Sequence, residues 1–115
     1  TGENLDIRFH VPEHIPYLQM TPFILIPFVE NAFKHVSHFK SEPNSILILI
    51  EIKGQQLTLN VQNTFDHQLN QNGNGIGLQN VKRRLELLYP NAHTLNISQD
   101  EKFYIVDLTL EIHEN

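Results

Sequence analysis

The 115-residue sequence predicts an α+β fold in one domain: a mixed, mostly antiparallel sheet with helices packed on one face. Two observations predict it. Segments of period-two or continuous apolar character alternate with two stretches whose apolar residues recur at helical spacing. Turn residues separate them in the order strand, helix, two strands, glycine loop, helix, two strands. The length suits one core and is too short for two.

Leu5 to Val11 alternates Leu5, Ile7, Phe9 and Val11 with Asp6, Arg8 and His10, the pattern of a strand, and Pro12 ends it. Residues 12–20, with Pro12 and Pro16, read as a loop. Thr21-Pro22 then offers a helix start, and Pro27 predicts either a kink or a second start. The helix is expected to fade near Phe39, before Ser41-Glu42-Pro43-Asn44. Ile46 to Ile52 and Leu57 to Val61 form a hairpin around Lys53-Gly54-Gln55-Gln56. The continuous run Ile46 to Ile50 reads as a central strand covered on both faces. A polar stretch from Asn63 leads to Gly73-Asn74-Gly75-Ile76-Gly77-Leu78. Leu78, Val81, Leu85 and Leu88 then mark the buried stripe of a helix, and Tyr89-Pro90-Asn91 stops it. Strands near Thr94 to Ser98 and Phe103 to Ile112 close the chain around Gln99-Asp100-Glu101-Lys102.

Composition excludes several classes. A net charge of −5 argues against a nucleic-acid binder, which needs a broad basic surface. With no cysteine, disulfides and thiolate metal sites are absent. No apolar run approaches a membrane span, and the N-terminus has no signal-peptide layout. Beginning at Thr1, the sequence reads as a piece of something longer.

Two stretches carry chemistry. Pro27 to His38 reads PFVENAFKHVSH. On a helical wheel with Glu30 at zero, Lys34 falls near ~40°, Asn31 near ~100° and His35 near ~140°. Ala32, Val36, Val29 and Phe33 fall between ~200° and ~300°, the expected buried face. A carboxylate, a carboxamide, an ammonium and an imidazole thus share one flank, although ordinary surface helices also gather charges there. His35 and His38 lie one turn apart, but no third ligand for a transition metal is evident. The second stretch places Gly73, Gly75 and Gly77 before a helix, where backbone amides can approach a phosphate. It is neither a Rossmann fingerprint nor a Walker A loop: the spacing differs and no Gly-Lys-Ser/Thr follows.

Together VENAFKH (29–35) and GNGIGLQNVKRRLELLYP (73–90) resemble the N box and G2 box of the ATP-binding domain shared by sensor histidine kinases, Hsp90, gyrase and MutL. The lead-in PFILIPFVENAFKH makes the chain most similar to LytS/YehU-type bacterial sensor histidine kinases. The resemblance implies the Bergerat fold, a two-layer α/β sandwich, and ATP and Mg²⁺ as cofactors. Asn31 matches the Mg²⁺-coordinating asparagine, and Glu30 the preceding acid that can orient a water or act as base. Lys34 and His35 match positions near the phosphates. The loop residues Gly73, Gly75, Ile76, Gly77 and Leu78, with Asn80 behind them, match the nucleotide-binding G2 segment.

The sequence also departs from the family. The G1 aspartate that accepts from the adenine amine is replaced by Asn63, and no glycine follows in Val61-Gln62-Asn63-Thr64-Phe65. Because a carboxamide also donates, weaker adenine binding and weaker rejection of guanine are expected. The lid, 66–74, is short. None of the seven histidines has the phosphoacceptor context, so the chain alone is not expected to autophosphorylate. The implied partners are an upstream histidine-bearing dimerisation domain and a response regulator, expected to be of LytTR type, with the domain cytoplasmic in a membrane-anchored protein. The chain itself is expected to be neither membrane-inserted nor bound to nucleic acid, and is most simply a monomer. A degenerate ATP-fold domain serving as an interaction module is the alternative. A larger ATPase machine does not fit 115 residues, whereas an anti-sigma-type serine kinase shares the fold.

Overall fold

The computed structural model describes residues 4–13, 21–67 and 76–112. Their elements are β1 (Leu5–His10), α1 (Thr21–His35), β2 (Asn44–Lys53), β3 (Gln56–Thr64), α2 (Ile76–Leu88), β4 (His93–Gln99) and β5 (Phe103–Glu111). This is the expected order. The strands form one sheet, β1-β2-β3-β5-β4, with β1 parallel to β2 and every other pair antiparallel. Parallel neighbours need a crossover, and α1 lies within it.

Alternation in β2 and β3 sends Ile46, Ile48, Ile50, Leu57, Leu59 and Val61 into the core. Val106, Leu108 and Leu110 of β5 join them from the same face. Helix residues Ile24, Leu25, Phe28, Ala32, Leu78, Val81 and Leu85 cover that face, and α1 also packs against α2. The opposite face has no helix among the described residues. Leu47 and Leu49 of β2 are only partly buried there, which corrects the expectation of a strand covered on both sides. Their neighbours on this face are polar: Asn60 Nδ2 donates to Asp107 Oδ1 at 2.7 Å, and Gln62 Nε2 to Asn60 Oδ1 at 2.9 Å.

The β2–β3 hairpin turns through Gly54, whose φ of 58° is left-handed backbone that a side chain would strain. After α2, Asn91 takes a similar φ of 57°, a conformation asparagine tolerates better than most residues.

Two expectations for α1 change. It runs unbroken through Pro27, which rules out a second start. Ile24, Leu25 and Phe28 are buried on both sides of the proline and anchor both halves to the sheet. It also ends at His35, not near Phe39. Val36 N–H still reaches Ala32 O at 2.9 Å, but Ser37 N–H turns away to Thr64 O at 2.8 Å.

A buried polar cluster fixes that exit. Ser37 Oγ donates to Asn44 Oδ1 at 2.6 Å and lies 2.7 Å from Thr64 Oγ1, which accepts from Ser45 N–H at 3.0 Å. Asn44 uses its whole carboxamide. Its oxygen also accepts from Phe39 N–H at 2.8 Å, and its Nδ2 donates to Asn4 O and Phe39 O. The end of α1, the start of β2 and the end of β3 are thereby tied together.

Candidate functional site

The site begins with how α1 is rotated. Its buried residues Ile24, Leu25, Phe28, Ala32 and Val36 span ~120° to ~240° on the wheel that sets Glu30 at zero. That arc is turned by roughly 60° from the expected one. Phe33, expected in the core, is 45% exposed, and Val29 is partly buried. Asn31 and His35 instead come to the margin of the buried arc and are partly buried. Glu30 and Lys34 stand on the exposed flank beside them. One turn and a half of helix therefore offers an oxygen-donor carboxamide at the core's edge with a carboxylate and an ammonium in the open.

Asn63 lies at the inner end of β3, not in a loop, and is 1% exposed. Period-two alternation aims it to the helix side, in line with Leu57, Leu59 and Val61. Its Nδ2 donates to Thr64 O at 3.0 Å. The same carbonyl accepts from Ser37 N–H at 2.8 Å, two residues past the end of α1, so Asn63 and the end of that helix meet at one corner. With Nδ2 engaged, a flipped amide would set Oδ1 against a carbonyl oxygen, which is repulsive. No hydrogen-bond partner for Oδ1 is found among the described residues.

From the glycine stretch, Ile76 and Gly77 open α2, Leu78 is buried beneath it and Asn80 is exposed on its first turns. Lys82, Arg83, Arg84 and Glu86 are exposed as expected, but Leu88, expected in the buried stripe, is 42% exposed. Three helical positions past Leu85, it is the last residue of the helix, just before Tyr89. Gly73 and Gly75, most of the 66–74 lid and residues 14–20 lie outside the described residues.

Sequence reasoning missed the Ser37–Asn44–Thr64 cluster and the cleft beside it, lined by Phe39, Pro43, Phe65, His67, Lys102 and Phe103. The signal was Phe65, the one aromatic in a polar run. It is 6% exposed, stacked obliquely on His67 at 4.3 Å and edge-on to Tyr104 at 6.5 Å. Burial raises the Tyr104 phenol above its ordinary 10.0.

This fold and this arrangement of helix and strand are those of histidine-kinase catalytic domains. The structure of the Acinetobacter baumannii histidine kinase AdeS matches with a TM-score of 0.68 at 15% identity, over 97% of this chain and 56% of that one. The catalytic domain of histidine kinase ThkA, in a nucleotide-free form, matches with a TM-score of 0.66 at 15% identity, over 94% of this chain and 80% of that one. In sequence the chain is similar to LytS-type sensor histidine kinases. Sensor histidine kinase BtsS of Escherichia coli (strain K12) is 26% identical over 101 residues, 87% of this chain and 18% of that protein. Sensor protein LytS of Staphylococcus haemolyticus is 26% identical over 112 residues, 86% of this chain and 19% of that protein. The chain thus spans about a fifth of the length of these relatives. No family model matches it. No helix among the described residues is long and apolar enough to cross a membrane.

Proposed function

We propose that the chain is the ATP-binding catalytic domain of a sensor histidine kinase. It holds Mg-ATP, whose γ-phosphate passes to a histidine on a separate dimerisation domain and then to an aspartate on a response regulator of LytTR type. The domain works on the cytoplasmic side of a membrane-anchored protein. The observation that carries this reading is the corner just past the end of α1, where Ser37 N–H and Asn63 Nδ2 share the Thr64 carbonyl.

The donor set fits Mg²⁺. No group of three or more His, Cys, Asp or Glu gathers among the described residues, so those residues offer no closed cage. A Mg²⁺ ion suits such a site, taking one or two protein oxygens and completing its shell with phosphate and water. Asn31 Oδ1 would hold the ion, which would supply positive charge against the phosphates. Lys34 and His35 donate to phosphate oxygens, and Glu30 orients the incoming nucleophile or takes its proton. The amides of Gly73, Gly75 and Gly77 are assigned to the phosphates, and Ile76, Leu78 and Asn80 complete the nucleotide-binding set. Catalysis here is mainly positioning and charge neutralisation.

Asn63 supplies the acceptor for the adenine amine. Its Nδ2 spends one hydrogen on Thr64 O, which leaves Oδ1 to accept from the base, while the second Nδ2 hydrogen keeps the weak rejection of guanine, whose corresponding group is itself an acceptor.

Titration calorimetry with a non-hydrolysable ATP analogue tests the reading. Magnesium-dependent binding is expected, lost in Asn31→Ala, while Asn63→Asp is expected to bind the ATP analogue more tightly and to exclude the GTP analogue more strongly. Unchanged ATP and GTP binding in Asn63→Asp would remove the role given to Asn63. No binding at millimolar nucleotide by folded protein would instead favour the interaction module, for which the missing G1 aspartate and glycine already speak.

A further inference from the structure

Among the described residues the sheet ends at β1, with no further strand on its outer edge, and the composition of that edge is unusual. Leu5, Ile7 and Phe9 are 43%, 46% and 60% exposed, although they point to the same face as their β2 neighbours Asn44, Ile46 and Ile48, all buried. Asp6, Arg8 and His10 occupy the other face, and all six residues are exposed. Edge strands are normally blunted by proline, a bulge, or a charge directed inward. Within Leu5–His10 there is no proline, and the β2 register runs without a bulge.

From this edge we infer that β1 pairs antiparallel with β1 of a second copy of this chain, about a two-fold axis at Ile7. The register decides among the possible axes. Centred on Ile7, Leu5 faces the partner's Phe9, Ile7 faces the partner's Ile7, and Asp6 faces the partner's Arg8. Apolar side chains then share one face, while opposite charges pair twice on the other. An axis at Arg8 sets arginine against arginine, and one at Asp6 sets aspartate against aspartate. An axis between Ile7 and Arg8 puts Ile7 opposite a guanidinium. Of these registers, the one at Ile7 sets apolar against apolar on one face and opposite charges together on the other. Within one chain Arg8 Nε already lies 3.1 Å from Asp6 Oδ2, so both charges are held over the face where the partner's pair arrives.

The two-fold axis stands perpendicular to the sheet, so both helix layers lie on the same side. Leu5, Ile7 and Phe9 of the two copies then form a continuous apolar floor between them. Main-chain hydrogen bonds along the edge supply the attraction, as in strand addition generally. The pairing is independent of the nucleotide-binding reading.

Sedimentation equilibrium over a wide concentration range tests it. The mass is expected to rise from 13.4 kDa toward twice that value. Ile7→Lys, a change at an already half-exposed position, abolishes the rise with circular dichroism unchanged. Asp6→Arg weakens dimerisation roughly tenfold, because symmetry counts each opposed pair twice, and Asp6→Arg with Arg8→Asp restores it. In this cysteine-free chain, Ile7→Cys forms an intermolecular disulfide under an added copper-phenanthroline oxidant, both Cα spacings of an antiparallel pair being within reach. Leu87→Cys, 74% exposed on α2, does not. A monomer at every concentration overturns the proposal. So does a dimer indifferent to Ile7→Lys, or equal cross-linking at positions 7 and 87.

Discussion

Asn44 is 2% exposed and has both donor and acceptor ends of its carboxamide occupied, by Ser37, Phe39 and Asn4. Removing that side chain strands Phe39 N–H and the carbonyls of Asn4 and Phe39, and leaves the Ser37 hydroxyl only Thr64 Oγ1. Asn44→Ala should therefore cost about 2–4 kcal/mol in urea unfolding, well beyond the loss of one hydrogen bond. Asn44→Asp should fare no better, since an oxygen would replace the nitrogen that faces the carbonyls of Asn4 and Phe39. In the sequence, Asn44 looked like one turn residue among Ser41-Glu42-Pro43-Asn44. Its partners are far along the chain, and hydrogen bonds between distant residues leave no periodicity. Glu30, Asn31, Lys34 and His35 could be gathered as candidates because they sit within six residues of one helix. Asn63 was legible as a substitution, but its amide orientation depended on the fold around Thr64.

At the scale of elements, the β4–β5 turn is held by one carboxylate. Asp100 Oδ1 accepts from Phe103 N–H at 2.7 Å and Lys102 N–H at 2.8 Å, and these bonds lower its pKa below 3.8. A depressed carboxylate stabilises the fold above its unfolded value and loses that contribution as pH falls through the folded one. Asp100→Asn should thus be slightly less stable than the parent at neutral pH. The two unfolding curves should converge below pH 3.8, as thermal melts over a pH series would show. The turn itself was plain from Gln99-Asp100-Glu101-Lys102. The rotation of α1 was not. A wheel built from apolar residues gives equal weight to Phe33 and Phe28, yet only Phe28 is buried, because the sheet and α2 select the face. Leu88 was misjudged for the same reason: spacing marks a stripe, but the covering element decides where the stripe stops.

For the molecule as a whole, element order followed from local patterns and the sheet order did not. Neighbouring strands β2 and β3 are joined by a tight hairpin, so their pairing could be anticipated. The placement of β1 beside β2, in parallel, rests on contacts between residues about forty apart, from Leu5 with Asn44 to His10 with Leu49. That separation also sets an order in time. The hairpin closes a loop of two residues, Gly54 and Gln55, and can form early. β1 must wait until α1 has folded across the sheet, and by then it adds a strand with little burial of its own. Its amides should exchange with deuterium sooner than those of β2 and β3, through openings that leave the remaining sheet intact. The first strand of the chain would then be the last to fold and the first to let go.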